Sequence, residues 1–389
     1  MSQGEKKTNI SHFIGLRGIG GVQTNFTEYL NNETFKNSEL FHKVYTFGSK
    51  DSEYVLNIEV LNIWKLTNLY LFIRDIISNK TIVHFYNNLS STKVMFLLIF
   101  LSAKKIVMHE RGTCWNQSKK YCFITRFNAS KADVIISNSK ATKTMLVKRF
   151  LIPKDKINII HNGIKVDINN YNNKQNKNIY GYFRVGFIGR LDSPKGLHVL
   201  IEAIGKLKEH KIELLIAGSG PLNSELKEQS KDLINITFLG RIQQTSDFFK
   251  SLDLLVVPSI REPLGNVCIE AGLYRVPVLA SNVDGIPEIL EHEISGELMN
   301  PDINLSFESN NNAAPIPEYV INPETQELQK PRQLDSFKLA NKILELSLNH
   351  DKLDLYANNL HSKVIQNFNI EAYSLKLERL YKKLNSENR

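Results

Sequence analysis

The chain is poor in cysteine and has no long apolar run. Its three cysteines, Cys114, Cys122 and Cys268, fit neither a disulfide framework nor a pair of metal ligands. The longest apolar stretch, 94–101, is far too short to span a bilayer, and residues 1–9 are too polar for a signal peptide. We therefore expect a globular protein of the reducing cytoplasm rather than a secreted or membrane-spanning one.

Acidic side chains are scarce in the first part of the chain. Residues 1–168 hold 24 Lys and Arg but only 12 Asp and Glu, and residues 101–150 alone hold 11 basic and 2 acidic side chains. A solvated basic surface explains this imbalance, as does attraction to anionic lipid headgroups or to an anionic, lipid-linked acceptor. The sequence does not interleave aromatic and basic residues as base-stacking proteins do, so we expect no nucleic-acid partner.

The length of 389 residues predicts two domains, each large enough for its own core. A polar, asparagine-rich stretch at 169–178 is the best candidate linker, which places the domains at 1–168 and 181–366. Residues 302–333 interrupt the second domain with four prolines and a run of three asparagines. We interpret that segment as an insertion or a long surface loop.

Short apolar runs alternate with helical patterns in both domains. We predict strands at 10–15, 81–85, 105–109, 134–137, 157–160, 183–188, 212–217, 236–239 and 254–257. We predict helices at 23–30, 92–103, 140–149, 196–208, 223–229, 245–251 and 371–384. This alternation predicts an α/β protein with two doubly wound, Rossmann-like parallel sheets, which bind ligands beyond the carboxyl ends of their strands.

The most informative stretch, 257–288, places a glycine turn between a strand and a helix. Glu262 and Glu270 bracket this Pro-Leu-Gly-Asn turn. Backbone N–H groups at the start of such a helix attract a phosphate. Glu270 is placed to bind a ribose diol, and Glu262 is placed to reach hydroxyls beyond the phosphates. The pattern predicts a site for a nucleotide joined through phosphates to a sugar, although a helix with two surface glutamates is the simpler alternative.

This stretch resembles the Glu-x7-Glu signature of retaining glycosyltransferases of family 4, which have the GT-B fold. The chain departs from the family pattern at four positions, namely Leu264, Tyr274, Arg275 and Asp284, the last of which stands where the family has a glycine. The resemblance implies two Rossmann-like domains facing a central cleft. It also implies that a C-terminal helix, within 367–389, crosses back to the first domain.

Two further segments of the second half resemble family motifs. Gly189, Arg190 and Lys195 belong to a complete G-R-L-x-x-x-K-G pattern, and the resemblance implies that both cations neutralise the leaving diphosphate. A surface salt-bridge pair is the alternative. Gly218 belongs to a segment that resembles the family's A-G-x-G-P turn, whose small residues let the backbone approach the nucleotide. A tight turn without ligand contact is the alternative. The resemblance also assigns the backbone of 265–267, that is Gly265, Asn266 and Val267, to the donor diphosphate.

Two segments of the first half add weaker matches. Gly20 and Gly21 stand where a strand passes into a helix, and in the family this loop faces the donor diphosphate and the acceptor. His109 ends a predicted strand, and the resemblance implies that it contacts the transferred sugar near the reacting carbon. A histidine that is merely part of the core is the alternative.

Together these matches predict a retaining glycosyltransferase that moves a hexose from a nucleotide-diphosphate sugar to a glycan or lipid-linked acceptor in bacterial lipopolysaccharide or surface polysaccharide synthesis. We expect Glu262, Arg190, Lys195 and His109 to carry catalysis. We expect a UDP-sugar donor, with a GDP-sugar as the alternative, and neither a cofactor nor a metal ion. We also expect contact with the inner face of the plasma membrane through the basic first domain. The competing hypothesis is a non-catalytic binding module on a degenerate GT-B scaffold.

Overall fold

The computed structural model describes residues 8–18, 20–32, 40–101, 103, 105–117, 121–166, 181–305 and 313–386. The chain forms two compact units. Unit 1 comprises residues 1–165 and 368–389, and unit 2 comprises residues 166–367. The expected linker at 169–178 lies outside the described residues.

Unit 1 is built on a parallel sheet of seven strands in the order β3-β2-β1-β4-β5-β6-β7. The strands are β1 (Thr8–Phe13), β2 (Leu40–Thr46), β3 (Val60–Asn62), β4 (Thr81–Tyr86), β5 (Ile106–Glu110), β6 (Val134–Ser137) and β7 (Ile157–Ile159). Among the residues described in this unit, the helices that alternate with the strands are α1 (Gly21–Asn31), α2 (Leu66–Ile77), α3 (Thr92–Phe100), α4 (Cys122–Lys131) and α5 (Lys140–Lys148). Strands β4 and β5 are buried along their whole length, as expected for a sheet covered on both faces.

The last helix of the chain completes the core of unit 1. This helix is α13 (Ile370–Ser386). Its apolar side chains recur every three or four residues and are buried against α1 and the sheet. They are Ile370, Tyr373, Leu377, Tyr381 and Leu384. The expected return of the C-terminal helix to the first domain is thereby confirmed.

Unit 2 repeats the architecture with a parallel sheet of six strands in the order β10-β9-β8-β11-β12-β13. The strands are β8 (Phe183–Ile188), β9 (Ile212–Ala217), β10 (Ile236–Gly240), β11 (Leu254–Val257), β12 (Val278–Ser281) and β13 (Glu297–Met299). The helices are α6 (Leu197–Gly205), α7 (Asn223–Gln229), α8 (Thr245–Lys250), α9 (Asn266–Leu273), α10 (Ile286–Ile289), α11 (Ser336–Ser347) and α12 (His350–Asn367). Both sheets confirm the predicted α/β class with two Rossmann-like domains.

Within the segment 302–333, the structure describes residues 302–305 and 313–333. It contains an antiparallel pair, β14 (Val320–Ile321) and β15 (Leu328–Gln329). Asn322 begins the turn between these strands, because its side-chain oxygen accepts hydrogen bonds from the backbone N–H groups of Glu324 and Thr325. Val320 and Ile321 are buried, so the hairpin packs on unit 2 rather than projecting into solvent.

Candidate functional site

The carboxyl edge of the unit 2 sheet brings three of the predicted motifs together. Strand β8 lies between β9 and β11, and the three strands are parallel. Arg190 follows β8, Gly218 follows β9 and Glu262 follows β11. Because parallel neighbours end at the same edge, these loops meet at the position where doubly wound sheets bind ligands.

The turn that precedes α9 has the geometry expected of a phosphate-binding loop. Gly265 has a left-handed backbone with φ of 100° and stands directly before the first residue of α9. This conformation is costly for other residues and lets the chain turn sharply from β11 into the helix. Asn266 and Val267 begin α9 and are partly exposed, as is Glu270 one turn further on. The site therefore includes the N-terminus of a helix, a position that favours an anion, and within its first turn Cys268 donates its N–H to the carbonyl of Gly265 at 2.8 Å.

Lys195 and Glu262 form a close ion pair. Lys195 Nζ lies 2.6 Å from Glu262 Oε2, and the side chains are 31% and 10% exposed. An ammonium group carries three donors, so this bond leaves Lys195 able to bind a second acceptor. Ser259 Oγ donates a longer hydrogen bond of 3.5 Å to the same carboxylate oxygen. The site thus holds a cation and an anion side by side next to the start of α9.

Arg190 makes a different ion pair at the same edge. Its Nε lies 3.0 Å from Asp192 Oδ2, and its side chain is 66% exposed. Asp192 is buried and also accepts a hydrogen bond from the backbone N–H of Ser193 at 3.1 Å. Asp192 therefore holds the Nε end of a largely exposed guanidinium.

The glycine turns after β8 and β9 pack directly on each other. A Cβ atom at Gly218 would lie 1.8 Å from the carbonyl oxygen of Gly189. Gly218 also donates its backbone N–H to the carbonyl of Gly240 at 2.7 Å. Contact between backbones explains the need for glycine at 218, while the predicted contact of Gly189 and Gly218 with a nucleotide stays a prediction.

Asp284 is a residue of this site that the sequence motifs did not assign. It is buried, has a positive φ of 49° and accepts the backbone N–H of Glu262 on Oδ2 at 2.8 Å. Its Oδ1 accepts the backbone N–H of Ile321 at 2.6 Å. Burial raises the pKa of the Asp284 carboxyl to about 7, against the lowering effect of these hydrogen bonds and of Arg261. The one signal in the sequence was its departure from the family glycine.

In unit 1, the loop of Gly20 and Gly21 is braced by a tyrosine and an aspartate. The Tyr54 hydroxyl accepts a hydrogen bond from the backbone N–H of Gly20 at 3.2 Å and donates one to the carbonyl of Gly18 at 3.0 Å. Asp51 accepts the backbone N–H of Gly18 at 2.6 Å. Helix α1 begins at Gly21, which confirms the predicted strand-to-helix turn. Neither Tyr54 nor Asp51 belongs to a motif that marks it as a functional residue in the sequence.

His109 lies at the end of β5 and is fully buried. Its Nε2 accepts a hydrogen bond from Arg111 Nε at 3.2 Å, and Arg111 also donates to the Tyr373 hydroxyl at 2.7 Å. The ring stacks on His84 at 5.4 Å between centroids. Burial, together with the charge of Arg111, holds the pKa of His109 well below its usual range, so the ring is neutral. These contacts are those of a core histidine, and its contact with substrate stays a prediction.

Three side chains of unit 2 have the spacing of a metal site. Within the described residues, the ligand atoms of His292, Glu293 and Glu297 lie within 4.8 Å of one another. Glu297 is already neutralised, however, because Lys342 and Lys352 each place Nζ 3.3 Å from its carboxylate. This group lies outside the motifs above, and the expectation of a metal-independent reaction stays a prediction.

Comparison with known proteins places the chain in the class that this fold and site define. A family model described as "Glycosyl transferases group 1" matches residues 182–309, and one described as "Glycosyltransferase Family 4" matches residues 52–168. The chain belongs to this glycosyltransferase family.

Its curated relatives include an uncharacterized glycosyltransferase of Methanocaldococcus jannaschii. That protein is 34% identical over 42% of this chain and 45% of its own length. A 41.2 kDa protein in the cps region of Klebsiella pneumoniae is 27% identical over 72% of this chain and 83% of its own length. The capsular polysaccharide biosynthesis glycosyltransferase CapM of Staphylococcus aureus is 28% identical over 39% of this chain and 44% of its own length. The alignment therefore spans less than half the length of the first and third relatives.

Solved structures share the whole fold. HepE of Anabaena, in complex with UDP and glucose, superposes with a TM-score of 0.74, at 18% identity and over 97% of this chain and 100% of HepE. A glycosyltransferase from Rickettsia africae superposes with a TM-score of 0.73, at 19% identity and over 98% of this chain and 100% of that protein. At this level of identity the likeness establishes the GT-B fold alone.

Proposed function

We propose that the protein transfers a hexose, with retention of configuration, from a nucleotide-diphosphate sugar to a glycan or lipid-linked acceptor. The observation that carries this proposal is the Lys195–Glu262 pair beside the left-handed Gly265 at the start of α9. Relatives named for capsular polysaccharide and O-antigen biosynthesis support a role in bacterial surface polysaccharide synthesis. The complex of HepE with UDP and glucose supports a UDP-sugar as the donor, with a GDP-sugar as the alternative.

Each part of the donor is assigned to a different group of unit 2. Lys195, Arg190 and the first backbone N–H groups of α9 would bind the diphosphate, because they supply two cations and a helix N-terminus. Glu270 would accept hydrogen bonds from the ribose hydroxyls. Glu262 would bind hydroxyls of the transferred sugar, and its bond to Lys195 at 2.6 Å would place that sugar next to the diphosphate.

The reaction would proceed without a protein nucleophile. The acceptor hydroxyl attacks the anomeric carbon on the face from which the diphosphate leaves, the bond to the diphosphate breaks, and a phosphate oxygen takes the proton. Arg190 and Lys195 stabilise the charge that develops on the leaving group, and this electrostatic stabilisation is the main catalytic contribution. His109 is neutral and accepts a hydrogen bond from Arg111, so it would act by packing rather than by proton transfer.

The experiment that tests the donor site is a thermal shift assay with UDP-, GDP- and ADP-sugars. A ligand present at 100 times its Kd adds about 2.7 kcal/mol to the free energy of unfolding, which raises Tm by a few degrees. We expect one nucleotide class to stabilise the wild type and the Glu270→Ala variant to lose that stabilisation. The matched control is Glu228→Ala on α7, an exposed glutamate paired with Lys231, which is expected to respond like the wild type.

The outcomes separate the two hypotheses. If no sugar nucleotide stabilises the wild type, the donor assignment fails and the degenerate scaffold becomes the better interpretation. If the wild type and Glu270→Ala respond equally, the nucleotide binds elsewhere.

We also propose that unit 1 contacts an anionic membrane surface, where a lipid-linked acceptor would be found. Helix α3 is apolar on nearly all sides and exposes Phe96, Ile99 and Phe100, and Phe123 is exposed on the adjoining α4. An apolar helix face at the surface, in a region rich in Lys and Arg, is typical of peripheral membrane binding. Within the described residues, no helix is long and apolar enough to cross a bilayer.

A further inference from the structure

The hairpin of the 302–333 segment is tied to the backbone of Glu262 through one side chain. Asp284 bridges the two, because Oδ2 accepts the N–H of Glu262 at 2.8 Å and Oδ1 accepts the N–H of Ile321 at 2.6 Å. Asp284 also donates its own N–H to the carbonyl of Ile321 at 3.1 Å. The residue after it, Gly285, donates to the carbonyl of Glu262 at 3.1 Å. Both backbone groups of Glu262 are thus held by the Asp284–Gly285 pair.

A second aspartate joins the same segment to the other predicted cation. Asp192 pairs with Arg190 through Oδ2 and accepts the backbone N–H of Ala314 through Oδ1. Both aspartates are buried. Each accepts one backbone N–H of the segment and at least one group of the loops after β8 or β11. Breaking either link would leave a buried polar group without its partner, so the links are costly to lose.

We propose that Asp284 is a positioning residue that makes the hairpin at 319–329 a part of the donor-sugar site. The inference rests on the proposed function, because it assigns Glu262 to the transferred sugar. Asp284 stands where the family pattern has a glycine, and glycine supplies no side chain to join the hairpin to Glu262. Asp284 has a φ of 49°, a backbone conformation that favours glycine. The hydrogen bonds of its side chain therefore have to offset the backbone strain that an aspartate causes at this position.

The geometry predicts which part of the donor depends on Asp284. Glu262 would bind sugar hydroxyls, whereas the diphosphate would be held by Arg190, Lys195 and the start of α9. Displacing the Glu262 backbone should weaken binding of the sugar more than binding of the nucleotide. Affinity for UDP-glucose should therefore fall while affinity for UDP is nearly unchanged.

The test compares wild type, Asp284→Asn and Asp284→Gly in two measurements. The first is hydrogen exchange without ligand over residues 258–266 and 319–322, where we expect both variants to exchange at least about fivefold faster, as follows from the loss of one net hydrogen bond. The second is calorimetric binding of UDP-glucose and of UDP. We expect a roughly five- to tenfold loss of affinity for UDP-glucose and less than about a twofold change for UDP.

Asp302→Asn is the matched control, since Asp302 begins the same segment but pairs with the exposed Lys338. It should behave like the wild type in both measurements. Asp284→Gly restores the family residue and relieves the backbone strain at φ of 49°. This variant therefore keeps the test possible if the asparagine variant does not fold. Unchanged exchange around Glu262, or an equal loss of affinity for UDP and UDP-glucose, would overturn the inference. A wild type that binds no sugar nucleotide would refute the proposed function, while the exchange measurement still decides whether Asp284 links the two segments.

Discussion

At the scale of single residues, the Lys195–Glu262 ion pair is the main electrostatic feature of the site. A partly buried pair with a 2.6 Å contact holds both side chains in one position before any ligand arrives. The lysine keeps donors free for a second acceptor, so binding a diphosphate adds a partner rather than replacing one. Pre-positioned charge of this kind favours a leaving diphosphate because little reorganisation accompanies the reaction.

Removing the lysine charge should therefore act mainly on the chemical step. We expect Lys195→Met to lower kcat/KM by about 10²- to 10³-fold, the size of effect typical for the loss of one group that stabilises charge in the transition state. The measurement is steady-state transfer with the donor class identified by thermal shift. Lys206→Met, directly after α6, is the control, since Lys206 is part of an exposed pair with Glu202 at 3.2 Å. A loss of less than about threefold in Lys195→Met would remove Lys195 from the catalytic set.

Single residues were predictable from the sequence where a local pattern marked them. Lys195 and Glu262 were both assigned to the site, but their bond to each other was not predicted, because 67 residues separate them and only the fold brings them together. Asp284 and Tyr54 were missed for a related reason. Each acts through hydrogen bonds to the backbone of a distant loop, and a single sequence does not encode such contacts in any local spacing.

At the scale of elements, buried strands were the most predictable features. Strands β6, β8, β9 and β11 begin and end where the sequence predicted, because each is a short apolar run bounded by polar or turn residues. Helix ends were less accurate. The helix predicted over 92–103 ends at Phe100, and the one predicted over 196–208 ends at Gly205. Apolar residues continue past both ends, so composition gave no stop signal.

Several elements were not predicted at all. Strands β2 and β3 and helix α4 carry mixed polar and apolar residues without a clean period, whereas α2 has an amphipathic pattern that the prediction overlooked. Strands β2 and β3 form because the neighbouring strands supply hydrogen-bond partners, as the parallel registers of β1 with β2 and β2 with β3 show. The two helices make their backbone hydrogen bonds internally and are held in place by packing on neighbouring elements. Such elements depend on tertiary context more than on local propensity.

The exposed apolar residues of helix α3 allow the proposed membrane contact to be tested. Burying two phenylalanine side chains in the interface contributes roughly 1.5–3 kcal/mol each, so Phe96→Ser combined with Phe100→Ser should weaken vesicle binding at least about tenfold. The assay is cosedimentation with vesicles of phosphatidylcholine and phosphatidylglycerol, at low and high salt. We expect wild-type binding to fall as salt rises, because the basic residues contribute an electrostatic attraction.

Phe337→Ser is the control for this helix, since Phe337 is 63% exposed on α11 of unit 2. Equal vesicle binding by the wild type and the α3 variant would show that α3 does not contact lipid. An α3 face that instead mediates self-association of the wild type would mark it as a protein interface, and the membrane proposal would be wrong.

At the scale of the whole molecule, a cluster of buried and partly buried histidines couples the stability of unit 1 to pH. His12 shares a 2.9 Å hydrogen bond with His42, and His84 shares one of 2.6 Å with the Tyr381 hydroxyl of α13. Burial holds the pKa values of His12, His84 and His109 well below their usual range and lowers that of His42 to about 4. These groups are neutral in the folded state and take up protons on unfolding.

Their contribution to stability is therefore complete above about pH 6.5 and is lost as pH falls toward 4. The shift of His42 alone corresponds to a free energy of unfolding on the order of 3 kcal/mol. Glu28 acts in the opposite direction, because burial raises its pKa to about 7 and its contribution declines as pH rises from about 4.5 to 7. Four histidines outweigh one carboxyl, so we expect the melting temperature of unit 1 to fall on acidification.

Scanning calorimetry between pH 7.5 and 4.5 measures this effect. His42→Gln should flatten the acid branch, because it removes one titrating ring and keeps a hydrogen-bonding side chain. His210→Gln, at an exposed position of unit 2, should leave the profile unchanged. A melting temperature of unit 1 that is constant down to pH 5 would contradict the role given to these histidines.

Helix α13 has a consequence for the way the protein is made. Tyr373, Leu377 and Tyr381 fill the core of unit 1, yet the ribosome adds them after every strand of both sheets. During synthesis, the part of the unit 1 core that α13 covers stays exposed until unit 2 has emerged, although α1 contributes to the same core cluster. We therefore expect unit 2 of the nascent chain to complete its folding before unit 1. We expect chaperones to bind the apolar surface of unit 1 that α13 covers in the folded protein.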